Sequence, residues 1–238
     1  MAEREYSQRR ELHKYRLVEL VGLAGSGKTT IINALQQENQ QYLVGDELEL
    51  KKGAHLPIFL SDFPRLIPDL WRISNGSRWF NWDEIKALVY LHQAEKIYTR
   101  QTDRTDTVFL LDHGPIFKMA KLHAFGPDSL KDEEFSAWWQ QLCEQWASLL
   151  DFVILLDAPL DTLKERIDSR QQRHAVKDKG EAEVHQFLLN YRESYEYILN
   201  KFQDRNGPRS LRFDTSRSPV DQVVSEISTA CRQLSLVS

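Results

Sequence analysis

The sequence has few of the features that mark secreted, metal-stapled or membrane proteins. Its 238 residues include only two cysteines, Cys143 and Cys231, which are far apart and lack metal-binding spacing. A reducing compartment, taken here as the cytoplasm, therefore fits best. No apolar run reaches the roughly 18 residues of a membrane span, and residues 1–15 contain no signal-peptide core. No membrane partner is expected.

Charge and linker sequences are equally limited. The formal net charge is -4, so no overall basic field indicates binding to nucleic acid. There is no Gly/Ser-rich or Pro-rich tract and no long run of one charge, so a single domain over 1–238 is predicted. Its N-terminal arm, 1–15, is basic but is better explained as a solvated tail. Exposed apolar helices would be compatible with a homodimer, although no motif demands one.

One complete motif is present. Residues 22–29 read GLAGSGKT and match the P-loop pattern G-x-x-x-x-G-K-[ST] without a gap. A β-rich run, 16–21, precedes the motif and a helical run, 30–35, follows it, which is the context that the motif requires. Glycines let backbone N–H groups turn inward, and a helix N-terminus favours anions. The sequence therefore predicts a site for a phosphate chain.

The motif also assigns roles within the loop. Lys28 is expected to reach the β- and γ-phosphates, and Thr29 is expected to give its hydroxyl to Mg²⁺. ATP and Mg²⁺ are the predicted cofactors. The loop residues expected to bind the nucleotide are Gly22, Ala24, Gly25, Ser26, Gly27, Lys28, Thr29 and Thr30.

Further apolar runs predict the rest of a sheet. They lie at 41–45, 107–111, 152–156 and 210–213. Runs of this kind suit strands buried on both faces, and their alternation with helices predicts an α/β fold with a doubly wound, parallel, five-stranded sheet. Ligands bind beyond the carboxyl ends of such strands. The residues at those ends are Asp46, Asp112, Asp157 and Ser216.

Two of these acids compete for the metal. A carboxylate beyond a strand next to the P-loop can hold Mg²⁺, usually through water. Asp112, in VFLLDHGP, is favoured as the metal ligand with Thr29. Asp157, in VILLDAP, is better explained as a strand-ending turn or a helix cap.

Taken in order, the motifs resemble those of the P-loop nucleoside and nucleotide kinases, the thymidylate-kinase-like group in particular. The stretches that carry the resemblance are GLAGSGKT, LLDHGP, ILLDAPLDTLKERIDSRQQR, LLNYRESYEYIL and RFDTSRSPVDQVVSEI. Two features depart from the family pattern. His113 stands where the family usually has arginine, and VGDELELKKG replaces a Glu-Pro-like acceptor motif. The resemblance implies a kinase fold with a helical acceptor-binding insertion, 55–100, and a lid region, 160–185.

A helix is predicted over 159–173, with a polar loop over 171–183. Three arginines share one face of this helix: Arg166, Arg170 and Arg173. The resemblance implies that Arg170 and Arg173 act on the phosphates as catalytic groups, that Arg166 stacks on the adenine, and that Ser216 also contacts the nucleotide. The alternative is a solvated helix face whose arginines pair with Glu165 or Asp168.

The acceptor side is less defined. Asp46 is the candidate to accept a proton from the acceptor or to orient it, with Glu47 as the fallback and an ordinary turn as the alternative. The segment 55–92 is the candidate acceptor wall. Its tryptophans are Trp71, Trp79 and Trp82, and its arginines are Arg65, Arg72 and Arg78. For each individual tryptophan, packing inside a helical subdomain is the preferred explanation. The stretch from Trp138 to Trp146 is predicted to be a core helix.

The leading hypothesis is an ATP-dependent phosphotransferase acting on a small molecule, with a nucleoside or nucleotide as the preferred acceptor class. One alternative is a kinase of another hydroxylated metabolite or an antibiotic. A second is a regulatory ATPase switch that acts on a protein partner. GTPases are disfavoured because no Asn-Lys-x-Asp tetrad occurs.

Overall fold

The computed structural model describes residues 15–39, 41–45, 64, 66–68, 70–74, 77–93, 107–169, 176, 179–203 and 207–235. Three residues assigned to the site, Asp46, Arg170 and Arg173, lie outside these ranges, as does the fallback acid Glu47. The described ranges include the P-loop and the ends of the third, fourth and fifth predicted strands.

Five parallel strands form the sheet. They are β1 (Tyr15–Gly22), β2 (Tyr42–Val44), β3 (Thr107–Leu111), β4 (Phe152–Asp157) and β5 (Arg209–Asp214). The strand order is β2-β3-β1-β4-β5, and each neighbouring pair is parallel. The predicted α/β fold and all five predicted strands are confirmed. Because β1 is central, the P-loop lies between the ends of β3 and β4.

Helices cover both faces of the sheet. They are α1 (Lys28–Glu38), α2 (Trp82–His92), α3 (Pro115–Phe125), α4 (Ser136–Ala147), α5 (Leu160–Ser169), α6 (Glu181–Gln203) and α7 (Val220–Ser235). The predicted loop over 171–183 is wrong at its C-terminal end, because helix α6 already begins at Glu181. Acidic residues in a first turn favour such a start, since they face the positive end of the helix dipole. No helix in the described ranges is long and apolar enough to cross a bilayer.

Side-chain alternation along β1 divides the core into two layers. Leu17 and Val21 face the layer that also holds α3, α4 and α6, whereas Val18 and Leu20 face the layer formed with α1 and α7. All four side chains are buried. The central strand is therefore apolar on both faces, which explains the continuous hydrophobic run that predicted it.

The first layer contains the predicted core helix. Trp139 and Trp146 of α4 are wholly buried. Each indole N–H has a partner, since Trp139 donates to the Leu130 carbonyl at 2.7 Å and Trp146 donates to the Leu91 carbonyl at 3.0 Å. Because buried indole N–H groups require acceptors, these bonds fix the orientation of both rings. The prediction that this helix belongs to the core is confirmed.

The tryptophans of the insertion behave differently. Trp71, Trp79 and Trp82 are 69%, 54% and 54% exposed, so the expectation that each packs inside a helical subdomain is wrong. The reason is clearest at Trp82. It is the first residue of helix α2, directly after the Asn81 N-cap, and the buried residues of the helix begin only at Glu84.

Two arginines of the insertion have structural partners. Arg78 donates to both carboxylate oxygens of Glu84, at 2.6 and 3.0 Å, and to the Phe125 carbonyl at 2.6 Å. The Arg72 guanidinium lies 5.3 Å from the centre of the Phe135 ring, within the range of a cation–π contact. These contacts attach the insertion to the end of α3 and to the turn before α4.

Candidate active site

The P-loop turns sharply because its three glycines adopt conformations that other residues avoid. Gly22 has φ 153° and Gly25 has φ 86°. A Cβ on Gly22 would collide with the Leu156 carbonyl of β4, and a Cβ on Gly25 would lie 2.7 Å from the Leu163 carbonyl of α5. Helix α1 starts directly after the loop, and no side chain caps its N-terminus. Its first N–H groups are thus available to an anion.

The lysine of the motif lies along the loop itself. Lys28 Nζ donates to the Gly22 carbonyl at 2.8 Å and to the Leu23 carbonyl at 3.3 Å. The hydroxyl of Ser26 is buried and has no hydrogen-bond partner within the described ranges. The loop therefore presents a cation and several polar groups to the space above it.

A cavity of about 250 Å³ opens at this loop. Lys28 and Thr29 line it on the P-loop side, and Asp112 and His113 line it where β3 ends. Described residues between 64 and 93 take no part in its walls, so Arg72 and Arg78 do not reach it. The structure thus brings together the lysine, the threonine and one of the two candidate acids.

Asp112 and Thr29 fit a magnesium ion by their chemistry. Asp112 Oδ1 is buried and has no hydrogen-bond partner among the described residues. A buried carboxylate oxygen without a partner is costly unless a ligand or water satisfies it. Mg²⁺ prefers oxygen ligands of this kind, usually one or two carboxylates together with substrate phosphates. Both side chains line the same cavity, so they can share one ion.

The competing acid is engaged elsewhere. Asp157 Oδ1 accepts hydrogen bonds from the Ala158 N–H and from Arg192 of α6, both at 2.9 Å. Arg192 also donates to the Ala158 carbonyl at 3.1 Å. Asp157 does not line the cavity. Its carboxylate joins the end of β4 to helix α6, a structural role that its position after a strand already indicated.

Aromatic side chains form another wall of the cavity. Phe117 of α3 and Tyr191 of α6 stack with ring planes 15° apart and centroids 6.2 Å apart. The His113 ring lies 4.5 Å from the Phe117 ring, and Phe187 packs edge-on against Tyr191 at 5.2 Å. Burial raises the pKa of Tyr191 well above its usual value, so this phenol is neutral. We call Phe117, Phe187 and Tyr191 the aromatic wall.

Helix α6 also contacts the P-loop directly. Tyr195 is buried, and its hydroxyl donates to the Gly22 carbonyl at 3.4 Å. Sequence reasoning did not select Tyr191 or Tyr195, although both belong to the stretch LLNYRESYEYIL. Their spacing of four residues places them on one helix face, which is the signal that could have identified them.

Arg166 and Ser216 lie at a second edge of the loop. Arg166 donates to the hydroxyl and the carbonyl of Thr215, both at 2.9 Å, and to the Gly25 carbonyl at 3.3 Å. Ser216 is exposed, and its N–H and hydroxyl bind Asp214 at 2.9 and 2.6 Å. These bonds hold the pKa of Asp214 below its usual range. Arg166 thus joins the P-loop to the turn after β5.

A further buried acid lies beneath the site and was missed in the sequence. Glu19 is fully buried in β1 and accepts hydrogen bonds from the N–H groups of Ile116 and Phe117, each at 2.9 Å. Burial raises the pKa of Glu19 to about 8, with Asp112 adding to the rise and the two N–H bonds and Lys118 opposing it. A single acid flanked by the apolar residues 17–18 and 20–21 is the signal that the sequence offered.

The raised pKa predicts a specific pH dependence of stability. The folded state holds the Glu19 proton more tightly than the unfolded state, so its contribution is complete below about pH 4.5 and is lost as pH rises to about 8. The free energy of unfolding of the wild type should therefore fall relative to Glu19→Gln by on the order of 1 kcal/mol per pH unit between these values. Urea denaturation of both proteins from pH 5 to 8 measures this difference, and parallel curves would contradict it.

The fold and the site can now be compared with known proteins. No protein-family model matches the chain. Among curated proteins it is similar to a probable thymidylate kinase 1 from Saccharolobus solfataricus, with 24% identity over 195 residues that cover 80% of this chain and 91% of that protein.

Solved structures extend the comparison. A deoxyadenosine kinase from M. mycoides with bound dATP superposes with a TM-score of 0.52 and 15% identity, covering 90% of this chain and 98% of that one. A thymidylate kinase from Candida albicans gives a TM-score of 0.54 and 15% identity over 92% of each chain. The chain therefore has the fold of the P-loop nucleoside and nucleotide kinases, and the resemblance read from its motifs is confirmed.

Proposed function

We propose that this protein transfers the γ-phosphoryl group of ATP to a small-molecule acceptor, a nucleoside or a nucleotide. The observation that carries the proposal is the shared cavity. It joins Lys28 and Thr29 of a complete P-loop to Asp112, whose Oδ1 has no hydrogen-bond partner in the described structure, and to the aromatic wall. The kinase fold of the relatives supports the same reaction class.

The P-loop and its neighbours supply the chemistry for this transfer. Backbone N–H groups at the start of α1 and the Lys28 ammonium stabilise negative charge on the phosphates. Thr29 and Asp112 would hold Mg²⁺, which neutralises phosphate charge when it is bound. Arg166 fixes the turn after β5 against the P-loop. We place the adenine of ATP at this edge, where Ser216 would also contact the nucleotide.

The remaining assignments depend on residues outside the described ranges. We assign Asp46 to accept the proton of an acceptor hydroxyl, because an acid beyond β2 would face the same edge of the sheet. We assign Arg170 and Arg173 to the transferring phosphoryl group, as parts of a lid over 160–185. Closure of such a lid would exclude water and so prevent hydrolysis of ATP.

The aromatic wall supports an acceptor that carries a flat ring. Phe117 and Tyr191 expose stacked rings to the cavity beside the P-loop. Nucleobases stack well on such surfaces, because every base has a π face. The described residues of 55–92 do not line this cavity. We therefore assign the acceptor wall to helices α3 and α6 instead.

We further propose that the enzyme acts in the cytoplasm. Cys143 and Cys231 are both buried, which is compatible with a reducing cytoplasm. The whole chain is proposed to act as one kinase domain. Its partner is a small molecule, neither nucleic acid nor membrane is required, and a homodimer is compatible with the proposal.

The test follows label from the γ-position of ATP. The full chain is incubated with γ-labelled ATP, Mg²⁺ and each of a panel of nucleosides, nucleoside monophosphates, sugars and aminoglycosides. Label on a nucleoside or its monophosphate supports the proposal. Label on a sugar or aminoglycoside alone would favour a kinase of another hydroxylated acceptor. Release of labelled phosphate alone, whatever acceptor is added, would favour an ATPase switch.

The aromatic wall gives a prediction for acceptor binding. Tyr191→Ala removes a stacking surface and should raise the KM for the acceptor roughly 10-fold, the effect of losing about 1–3 kcal/mol of base stacking. Tyr191→Phe keeps the ring and should remain near the wild type. The KM for ATP should change little in either variant. Equal acceptor KM values for the alanine and phenylalanine variants would remove Tyr191 from the acceptor site.

A further inference from the structure

We propose that Glu19 is a positioning residue that holds in place the turn between β3 and α3, which carries Asp112. In this proposal its buried carboxylate fixes where the magnesium-binding oxygen stands relative to the P-loop. The inference rests on the proposed function, because it concerns the metal of that reaction. It goes further by assigning a role to a residue that lies within β1 and does not line the cavity.

The first support is that Glu19 holds both ends of the turn that carries Asp112. The turn runs from 112 to 114, between β3 and α3. At one end, the backbone of Glu19 is paired in the sheet with Leu111, the residue before Asp112. At the other end, the two carboxylate oxygens accept the N–H groups of Ile116 and Phe117 at 2.9 Å each. One residue therefore connects the strand before the turn to the helix after it.

The second support is that α3 has no cap of its own. Its N-cap residue is Gly114, which offers no side chain to the first-turn N–H groups. The first N–H groups of a helix have no partner within the helix, Pro115 has no N–H, and carboxyl oxygens are favourable acceptors for the next two. Glu19 supplies these oxygens from a different element, so the start of α3 is placed by the strand that leads into the P-loop.

The third support is the close fit at Gly114. Its φ of -75° is allowed for any residue, so the backbone does not require glycine here. A Cβ at this position would lie 2.6 Å from Glu19 Cδ and 2.9 Å from both carboxylate oxygens. The turn is therefore packed directly on the carboxylate, and a change in either partner should move it.

Position matters at this turn because Asp112 Oδ1 has no protein partner within the described structure to orient it. Groups that orient a metal ligand typically change metal affinity by about 10–100-fold when they are altered. If Glu19 only stabilised the fold, replacing it would lower the melting temperature and leave the magnesium dependence unchanged. These two roles are therefore separable by experiment.

The experiment measures thermal stabilisation of the full chain by a non-hydrolysable ATP analogue as Mg²⁺ is titrated. Glu19→Gln should shift the Mg²⁺ concentration for half-maximal stabilisation upward about 10-fold, while binding of the metal-free analogue is retained. Leu17→Ala is the matched control, since Leu17 lies on the same strand and face and is equally buried. It should lower the melting temperature with an unchanged Mg²⁺ midpoint.

Gly114→Ala, which keeps Glu19, covers the case in which Glu19→Gln does not fold, and a double-mutant cycle tests the contact directly. Gly114→Ala should raise the Mg²⁺ midpoint in the wild-type background. In a Glu19→Ala background, where the collision is absent, Gly114→Ala should add little. Independent, additive shifts would overturn the inference, as would a Glu19→Gln protein with a lower melting temperature and the wild-type midpoint. If stabilisation of the wild type by the analogue did not depend on Mg²⁺ concentration, both the proposed function and the inference would be overturned.

Discussion

Lys28→Ala should reduce kcat/KM for phosphoryl transfer by about 10²–10³-fold, the usual effect of removing one group that stabilises transition-state charge. Lys28 is the cation of the P-loop, and its ammonium lies against the Gly22 and Leu23 carbonyls at the cavity. Steady-state transfer of labelled phosphate to the acceptor measures the change. The fold should survive, because the side chain is only partly buried.

Lys86→Ala is the control for this change. Lys86 is also a partly exposed helix lysine, but it pairs with Asp83 at 2.6 Å and does not line the cavity. Its removal should leave kcat/KM within about twofold of the wild type, since surface ion pairs contribute little. A Lys28→Ala protein that folds and transfers phosphate at the Lys86→Ala rate would contradict the assignment of Lys28.

Gly22→Ala should destabilise the protein by about 4 kcal/mol, combining backbone strain with a steric collision. Gly22 has φ 153°, and the new Cβ would press into the Leu156 carbonyl of the neighbouring strand. That carbonyl cannot move without disturbing the sheet, because Gly22 and Leu156 are paired partners in β1 and β4. Urea denaturation should show the loss as a lower midpoint.

Gly180→Ala provides the matched comparison. A Cβ at Gly180 would meet no atom within 4 Å, and its φ lies outside the left-handed range. Gly180 is the N-cap of α6, since its carbonyl accepts from the Val184 N–H at 3.0 Å, and alanine is disfavoured at such a position. The substitution should therefore cost at most about 1 kcal/mol, far less than at Gly22. Equal destabilisation by the two substitutions would show that the close approach at Gly22 is not what requires glycine.

The strands were predictable because their physical signal is local. A strand buried on both faces is mostly apolar, and β1, β3 and β4 are, with Glu19 as the buried acid within β1. The sheet order was not predictable in the same way, since it depends on which apolar edges pair. The predicted continuation of the α5 helix to Arg173, and the lid around Arg170, lie outside the described residues and remain predictions.

The candidate site was predictable to the extent that a motif fixes it. The P-loop has one arrangement, so Lys28 and Thr29 could be assigned from spacing alone. Asp112 and Asp157 both follow apolar strands, and only their three-dimensional partners distinguish them: Arg192 binds Asp157, whereas Asp112 faces the cavity. Arg192 lies 35 positions along the chain from Asp157, so spacing between neighbouring residues gives no sign of the pair.

The aromatic wall escaped prediction for a related reason. Phe117 and Tyr191 meet only because α3 packs against α6, and the spacing of Tyr191 from Tyr195 indicates a shared helix face without indicating this contact. The tryptophans of the insertion were predicted to be buried and are exposed, because a large apolar side chain favours burial but does not ensure it. Helix α2 buries residues from Glu84 onward, and Trp82 lies before them as its first residue.

The central position of β1 has a consequence for how the chain matures. Its two sheet neighbours are β3 and β4, which begin at Thr107 and Phe152, so β1 has no partner of its own during early synthesis. A nascent chain that ends before Phe152 carries a strand with apolar faces and an open edge, which is a hazard for aggregation. The nucleotide-binding loop at the end of β1 is therefore translated before both of the strands that flank it, and it acquires its final shape only after they have joined the sheet.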